Sequence, residues 1–186
     1  MTKVKGTAII PLPKFIAQEY GQEGFARWLE AISPAARKTY SQPILVDQWY
    51  PLTETFVEPT VKMCDLFSNG ILTGAWKVGR FSADYSLKGV YKAFVKLGSI
   101  QSFNKRAGVI LPAYYEPCAI ETVVSEATRS VMHITIFPEI HTVVENRICG
   151  WIQRAVEIHG RSRVKVEVAK SLTRNDPYTE IVSTWD

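Results

Sequence analysis

Residues 116–186 read EPCAIETVVSEATRSVMHITIFPEIHTVVENRICGWIQRAVEIHGRSRVKVEVAKSLTRNDPYTEIVSTWD, and their apolar period runs from two to 3.6 and back to two. Ile120, Thr122 and Val124 alternate with Glu121, Val123 and Ser125, and a Thr128-Arg129 turn leads into Val131 to Phe137, which predicts an antiparallel hairpin. Pro138 ends the second strand. Ile140, Val143, Val144, Ile148, Trp151, Ile152, Ala155 and Ile158 then fall on one helical face that runs to Gly160. Val164, Val166 and Val168 against Lys165, Glu167 and Lys170 mark a third strand. Asn175, Asp176 and Pro177 form a turn into the last strand, Tyr178 to Trp185. The unit is ββαββ, a four-stranded antiparallel sheet with the helix on one face.

Outward from this unit, the preceding sequence is helical and punctuated. Gly6 to Ile10 reads as a short strand or extended arm, stopped by Pro11 and Pro13, which open a helix from Lys14 to Tyr20 with Gly21 as its C-cap. Gln22 to Ile32 forms a second helix, and Ser33-Pro34 caps a third that ends near Thr39. Tyr50-Pro51 opens a segment with Leu52, Phe56, Met63, Leu66 and Phe67 on one face, split near Glu58 by Pro59 and ended by Asn69-Gly70. Gly79-Arg80 reads as a turn. Leu87, Val90, Tyr91, Phe94 and Val95 predict a helix from Asp84 to Leu97 that Gly98 ends, and Ser99 caps a short one toward Ala107. The expectation is an α+β fold in a single domain, 1–186, with a mainly helical part to residue 115 and the ββαββ part after it.

Composition narrows the function classes. At 186 residues with 46% hydrophobic and 22% charged residues, the chain can bury a core of its own. A net charge of +4, with only Arg161, Arg163 and Lys165 clustered, argues against nucleic acid as a partner. Cys64, Cys118 and Cys149 are odd in number and widely spaced, so a disulfide framework is not expected. With no apolar run of about 18 residues and no signal-peptide pattern, the expectation is a cytoplasmic protein without a transmembrane helix.

Lys5-Gly6-Thr7, the Tyr20-Gly21 helix end, Tyr50-Pro51, Gly150-Trp151, Gly160, Val164 to Val168 and Thr179 to Trp185 together resemble the superfamily of haem-nitric-oxide/oxygen-binding (H-NOX) domains, 4-vinyl-reductase domains and subunits of the transport protein particle (TRAPP). The resemblance spans nearly the whole chain on short motifs. It implies a sensory or scaffold module with a pocket between helices and sheet, and by analogy with the transport subunits a modified cysteine at no assigned position. Haem-binding members carry a proximal histidine on the helix before the first strand pair and a Tyr-x-Ser-x-Arg motif for the propionates. Here Tyr85 to Ala107 contains no histidine and the motif is absent, so haem is expected to be improbable and no cofactor is expected.

Read for chemistry, the chain offers scattered candidates and no catalytic constellation. Glu121 and Glu126 fall on opposite strand faces and cannot share acid and base roles. Arg80, after a glycine, could face an anionic ligand, Tyr91 and Phe94 could wall a pocket, and His133 on a strand could join it. His141 and Glu145, spaced i, i+4, are weak metal-ligand candidates, since two ligands do not make a site. His159 at a helix C-terminus is accounted for by the helix dipole. The leading expectation is a non-catalytic sensory or scaffold module that binds a small apolar ligand or a signalling partner protein in a cavity between helices and sheet. The alternatives are a haem-dependent gas sensor with an atypical axial ligand, His133 or His141, and a metal-assisted enzyme around His141 and Glu145. A homodimer is expected through helices or sheet edges, with Trp185 exposed at the end of the last strand.

Overall fold

The computed structural model describes residues 1–87, 99–102, 106 and 110–186. Its first strand, β1 (Lys3–Lys5), turns directly into the short helix α1 (Gly6–Ile9). The segment expected as a strand or extended arm over Gly6 to Ile10 is therefore helical over Gly6–Ile9. Gly6 lies against the Leu45 carbonyl so closely that a Cβ would not fit, and the Gly6 and Thr7 amides donate to the Gln48 and Val46 carbonyls. These bonds satisfy the free amides of a helix start without a side-chain cap.

Helix α2 (Pro11–Ala31) begins with proline in its first turn and is broken at Gly21, whose φ of 70° lies in the left-handed region. Helix α3 (Pro34–Tyr40) is capped by Ser33, whose Oγ accepts from the Ala36 amide at 3.2 Å. After β2 (Trp49–Pro51), the expected split at Pro59 takes the form of a π-helical turn, Thr53–Val57, running into α4 (Glu58–Phe67). Proline lacks the N–H that would reach back to the Thr55 carbonyl. The Tyr40 hydroxyl donates to that carbonyl instead, at 2.6 Å.

Helix α5 (Ile71–Ser86) runs through Gly74, Gly79 and Arg80, so Gly79-Arg80 is mid-helix and not a turn. The expected helix start at Asp84 falls inside α5, whereas Val90, Tyr91, Phe94 and Val95 lie outside the described residues. At Ser99 the expected cap is present, with the Ser102 amide donating to Ser99 Oγ at 3.2 Å. A 3-10 turn, Leu111–Ala113, then leads to β3 (Tyr115–Glu116), and β1 pairs with both β2 and β3 in a three-stranded antiparallel sheet.

The ββαββ unit is as the sequence predicts: β4 (Ala119–Ser125), β5 (Arg129–Ile136), α6 (Thr142–Ile158), β6 (Lys165–Lys170) and β7 (Thr179–Thr184). The strands form a four-stranded antiparallel sheet in the order β4-β5-β7-β6. Met132, Ile134 and Ile181 of the sheet pack with Val144, Ile148, Ile152 and Val156 of α6, and Val4, Ile9 and Phe56 from the helical part join the same core. Each such fully buried aliphatic chain contributes on the order of 2 kcal/mol. A second core holds Leu12, Phe15, Ile16, Trp28, Met63 and Val78. Trp185 is buried, with Nε1 donating to the Ala127 carbonyl at 2.8 Å, so the exposed tryptophan expected at the terminus is absent. No helix among the described residues is long and apolar enough to cross a membrane.

Candidate functional site

The helix pair α5–α6 sets the site. Gly79 rests on the Arg147 carbonyl and Gly150 on the Trp76 carbonyl, each with no room for a Cβ. These two glycines let the helix backbones touch, which residues of ordinary size would prevent. The close crossing fixes the position of Arg147, Ile148 and Trp151 on α6 relative to Ser82 and Ser86 on α5.

A cavity of about 60 Å³ opens beside this crossing, bounded also by Thr7 and Ala8 of α1, Phe56, and the Ile110–Tyr115 stretch. Its walls are mainly apolar, with Phe56, Leu111, Ile148 and Trp151 among the lining residues. The serine hydroxyls are partly committed: Ser82 Oγ donates to the Val78 carbonyl and Ser86 Oγ to the Ser82 carbonyl, both at 2.7 Å. Trp151 Nε1 donates to Ser86 Oγ at 3.4 Å. A second concavity of about 260 Å³, among Tyr20, Glu23, Gly24, Arg27 and Phe67, is more open to solvent.

Arg147 is the unusual member of the first cavity. It is 4% exposed, its guanidinium lies 3.8 Å over the Phe56 ring, and its hydrogen bonds go to Thr60 Oγ1 at 3.1 Å and the Ala8 carbonyl at 3.0 Å. Both acceptors are neutral. Burial lowers its pKa, while Tyr115, Tyr40 and Cys64 act in the opposite direction. Burial likewise pushes the Tyr115 phenol above its ordinary value, and Arg147 is the group that counters this. Nothing in the sequence reading singled out Arg147, although a signal was present: it falls between Val143, Val144, Ile148 and Trp151 within the apolar stripe of α6.

The sequence candidates are dispersed. Arg80 forms a two-pronged ion pair with Glu157, 2.7 and 2.8 Å, and donates to Gln153 Oε1 at 2.9 Å, so its charge is already matched. His133 lies on the face of β5 opposite Met132 and Ile134, with Nε2 hydrogen-bonded to Glu180 at 2.8 Å and its ring stacked on Tyr178. His141 caps α6, its Nδ1 accepting from the Val143 amide at 3.1 Å. Glu145 points instead into a hydroxyl cluster, accepting from Ser171 Oγ at 2.7 Å and Thr179 Oγ1 at 2.6 Å. His133, His141 and His159 are the three histidines of the chain, and none lines the cavity. Tyr91 and Phe94 lie outside the described residues.

The cysteines are poor nucleophiles. Burial raises Cys64 to about 11 and Cys118 to about 12, and raises Cys149 further. At neutral pH all three are thiols.

No protein-family model matches the chain, and no curated protein matches it. Solved structures do match. An H-NOX protein from S. oneidensis in the Fe(II) ligation state, a triple mutant, superposes with a TM-score of 0.75 at 12% identity, covering 98% of this chain and 96% of that one. The S. oneidensis Fe(II)NO form gives 0.73 at 12%, over 98% and 99%. The Fe(II) unliganded H-NOX protein from K. algicida gives 0.71 at 9%, over 98% and 96%. At these identities the likeness is one of fold. It overturns one expectation, that haem is improbable, because over nearly its whole length this backbone is similar to those of H-NOX proteins solved in Fe(II) and Fe(II)NO states.

Proposed function

We propose that the chain is a sensory ligand-binding module and that its ligand is haem, used for gas sensing with an axial ligand other than a family-type histidine. The observation that carries this reading is the match of 98% of the backbone to H-NOX proteins in Fe(II) and Fe(II)NO states. The cavity's donor set fits such a group. Tyr114 and Tyr115, which line the cavity, would hold such a group through a phenol oxygen, since tyrosine is a known protein ligand of haem iron. Burial is the larger effect at Tyr115 and holds its phenol protonated, while Arg147 acts in the direction of the phenolate. Phe56, Ile148 and Trp151 form the apolar walls that exclude water. When bound, haem would supply the iron at which a diatomic gas is detected. At about 60 Å³ the cavity itself holds only a few waters, so a macrocycle requires its walls to part.

The test is the absorption spectrum of protein purified from haem-supplemented cells. A Soret band that shifts on exposure to NO or CO, and that changes in Tyr115→Phe, is expected. Absence of a Soret band after haem reconstitution would overturn the reading. The mainly apolar lining favours one other reading, a small apolar ligand in the same cavity, which would register in native mass spectra as a retained mass without iron.

A further inference from the structure

The geometry points to an anion-bearing ligand: we propose that the cavity takes an apolar molecule carrying a carboxylate, and that this carboxylate pairs with Arg147. The proposal rests on the cavity being a ligand site, as above, but not on the ligand being haem.

The argument starts from charge. All eighteen Asp and Glu residues of the chain lie among the described residues, and none forms an ion pair with Arg147. The residues outside the described set contain lysines but no carboxylate. Among the described residues, therefore, this guanidinium has no carboxylate counter-ion. Buried charges are otherwise found paired or coordinated, because removing an ion from water is costly and neutral acceptors recover only part of the loss. Arg80, by comparison, is 34% exposed at its side chain and still has Glu157 in bidentate contact.

The second observation is placement. Arg147 does not sit in solid core; it lines a cavity that also presents Tyr114, Tyr115, Ser82 and Ser86 among mainly apolar walls. The planar guanidinium suits the two oxygens of a carboxylate. An apolar body against Phe56 and Trp151 with an acidic end at Arg147 satisfies both parts of the lining at once. Two sources share this chemistry, a propionate of a porphyrin and the carboxyl of a small organic acid.

The experiment titrates the full chain with butyrate and with 1-butanol, a neutral analogue of the same size, by calorimetry. Butyrate is expected to bind at least about tenfold more tightly, and Arg147→Met should abolish that preference while Arg147→Lys keeps part of it. Failure of butyrate to bind, equal binding of the two probes, or a preference that survives in Arg147→Met would each overturn the proposal. The comparison on the unaltered protein and Arg147→Lys decides the matter even if Arg147→Met does not fold. Native mass spectrometry of protein from haem-supplemented cells separates the sources. Retained haem whose occupancy falls in Arg147→Lys, or a retained organic acid without a Soret band, supports the pairing, and the second result overturns the haem reading alone. A retained neutral molecule overturns the pairing.

Discussion

Glu145 and Arg147 lie two residues apart on α6 and are equally buried, at 2% and 4% exposure, yet their surroundings differ in kind. Glu145 faces the β6–β7 connection, where Ser171 and Thr179 donate to the same carboxylate oxygen and Thr173 stands near the other. It ties the first turn of α6 to the end of β6 and the start of β7. Arg147 faces the cavity with neutral acceptors and an aromatic ring. A buried charge surrounded by donors from its own fold acts as a clamp, whereas one bordering open space with no counter-ion is prepared for something that arrives. The largest expected effect breaks the clamp: Glu145→Ala should cost about 3 kcal/mol or more in urea denaturation, since it strands two hydroxyls and leaves a hole. Glu145→Gln should recover part of that loss. A change under about 0.5 kcal/mol for Glu145→Ala would mean the cluster holds nothing together.

The next largest effect concerns what places Arg147. Gly79→Ala and Gly150→Ala should each cost about 2 kcal/mol, because the added methyl meets a backbone carbonyl on the opposing helix and only separation of α5 from α6 relieves it. Both variants should also weaken butyrate binding, and a variant that loses stability while keeping that affinity would uncouple the crossing from the cavity. This crossing is also where sequence reading fell short. The ββαββ unit was legible because its alternation and its amphipathic helix are local patterns, interrupted by Pro138, Gly160 and Pro177. Helix α5 was not, because Gly74 and Gly79 lower helix propensity and Gly79-Arg80 reads as a turn, whereas the contact that Gly79 makes possible lies on a partner helix some seventy residues away. The histidines drew attention as titratable groups but were each occupied locally, His133 by Glu180 and His141 by its own helix start. Arg147 was visible as a lone cation in an apolar stripe, but whether such a residue packs, snorkels or lines a cavity depends on neighbours brought in from α1, Phe56 and Tyr115.

On the solvent side of the same helix pair lies a third arrangement, an ion-pair network that links Arg80 and Arg154 to Glu157, with Asp84 on Arg154. Burial raises the Glu157 carboxyl, but hydrogen bonds from Arg80 and Arg154 outweigh it and leave the pKa below its ordinary value. The unfolded chain, with its Glu near 4.3, therefore takes up this proton first as pH falls. The network's contribution is present above that value and is lost as pH drops through the folded-state pKa. Glu157→Gln should flatten this acid limb in stability measured against pH, and at neutral pH should cost no more than about 1 kcal/mol because both partners are a third exposed and screened. An unchanged acid limb in the variant would assign the pH dependence elsewhere.

The smallest expected change in stability is the one that sharpens the comparison most. Arg147→Met removes a buried charge that has no counter-ion, and Met fills most of the vacated volume against Phe56. The variant leaves the Ala8 carbonyl without its donor, a cost of about 1 kcal/mol, while Thr60 Oγ1 stays bonded to the Phe56 carbonyl at 2.6 Å. Relief of the buried charge offsets that cost, so the folded state should shift by less than about 1 kcal/mol in either direction. Set beside the large loss at Glu145, a near-neutral Arg147→Met would mean that the fold gains little from this arginine, and that its burial is retained for what the cavity binds. A loss as large as that of Glu145→Ala would instead make Arg147 a second clamp, joining α6 to α1 and α4 through Ala8 and Thr60.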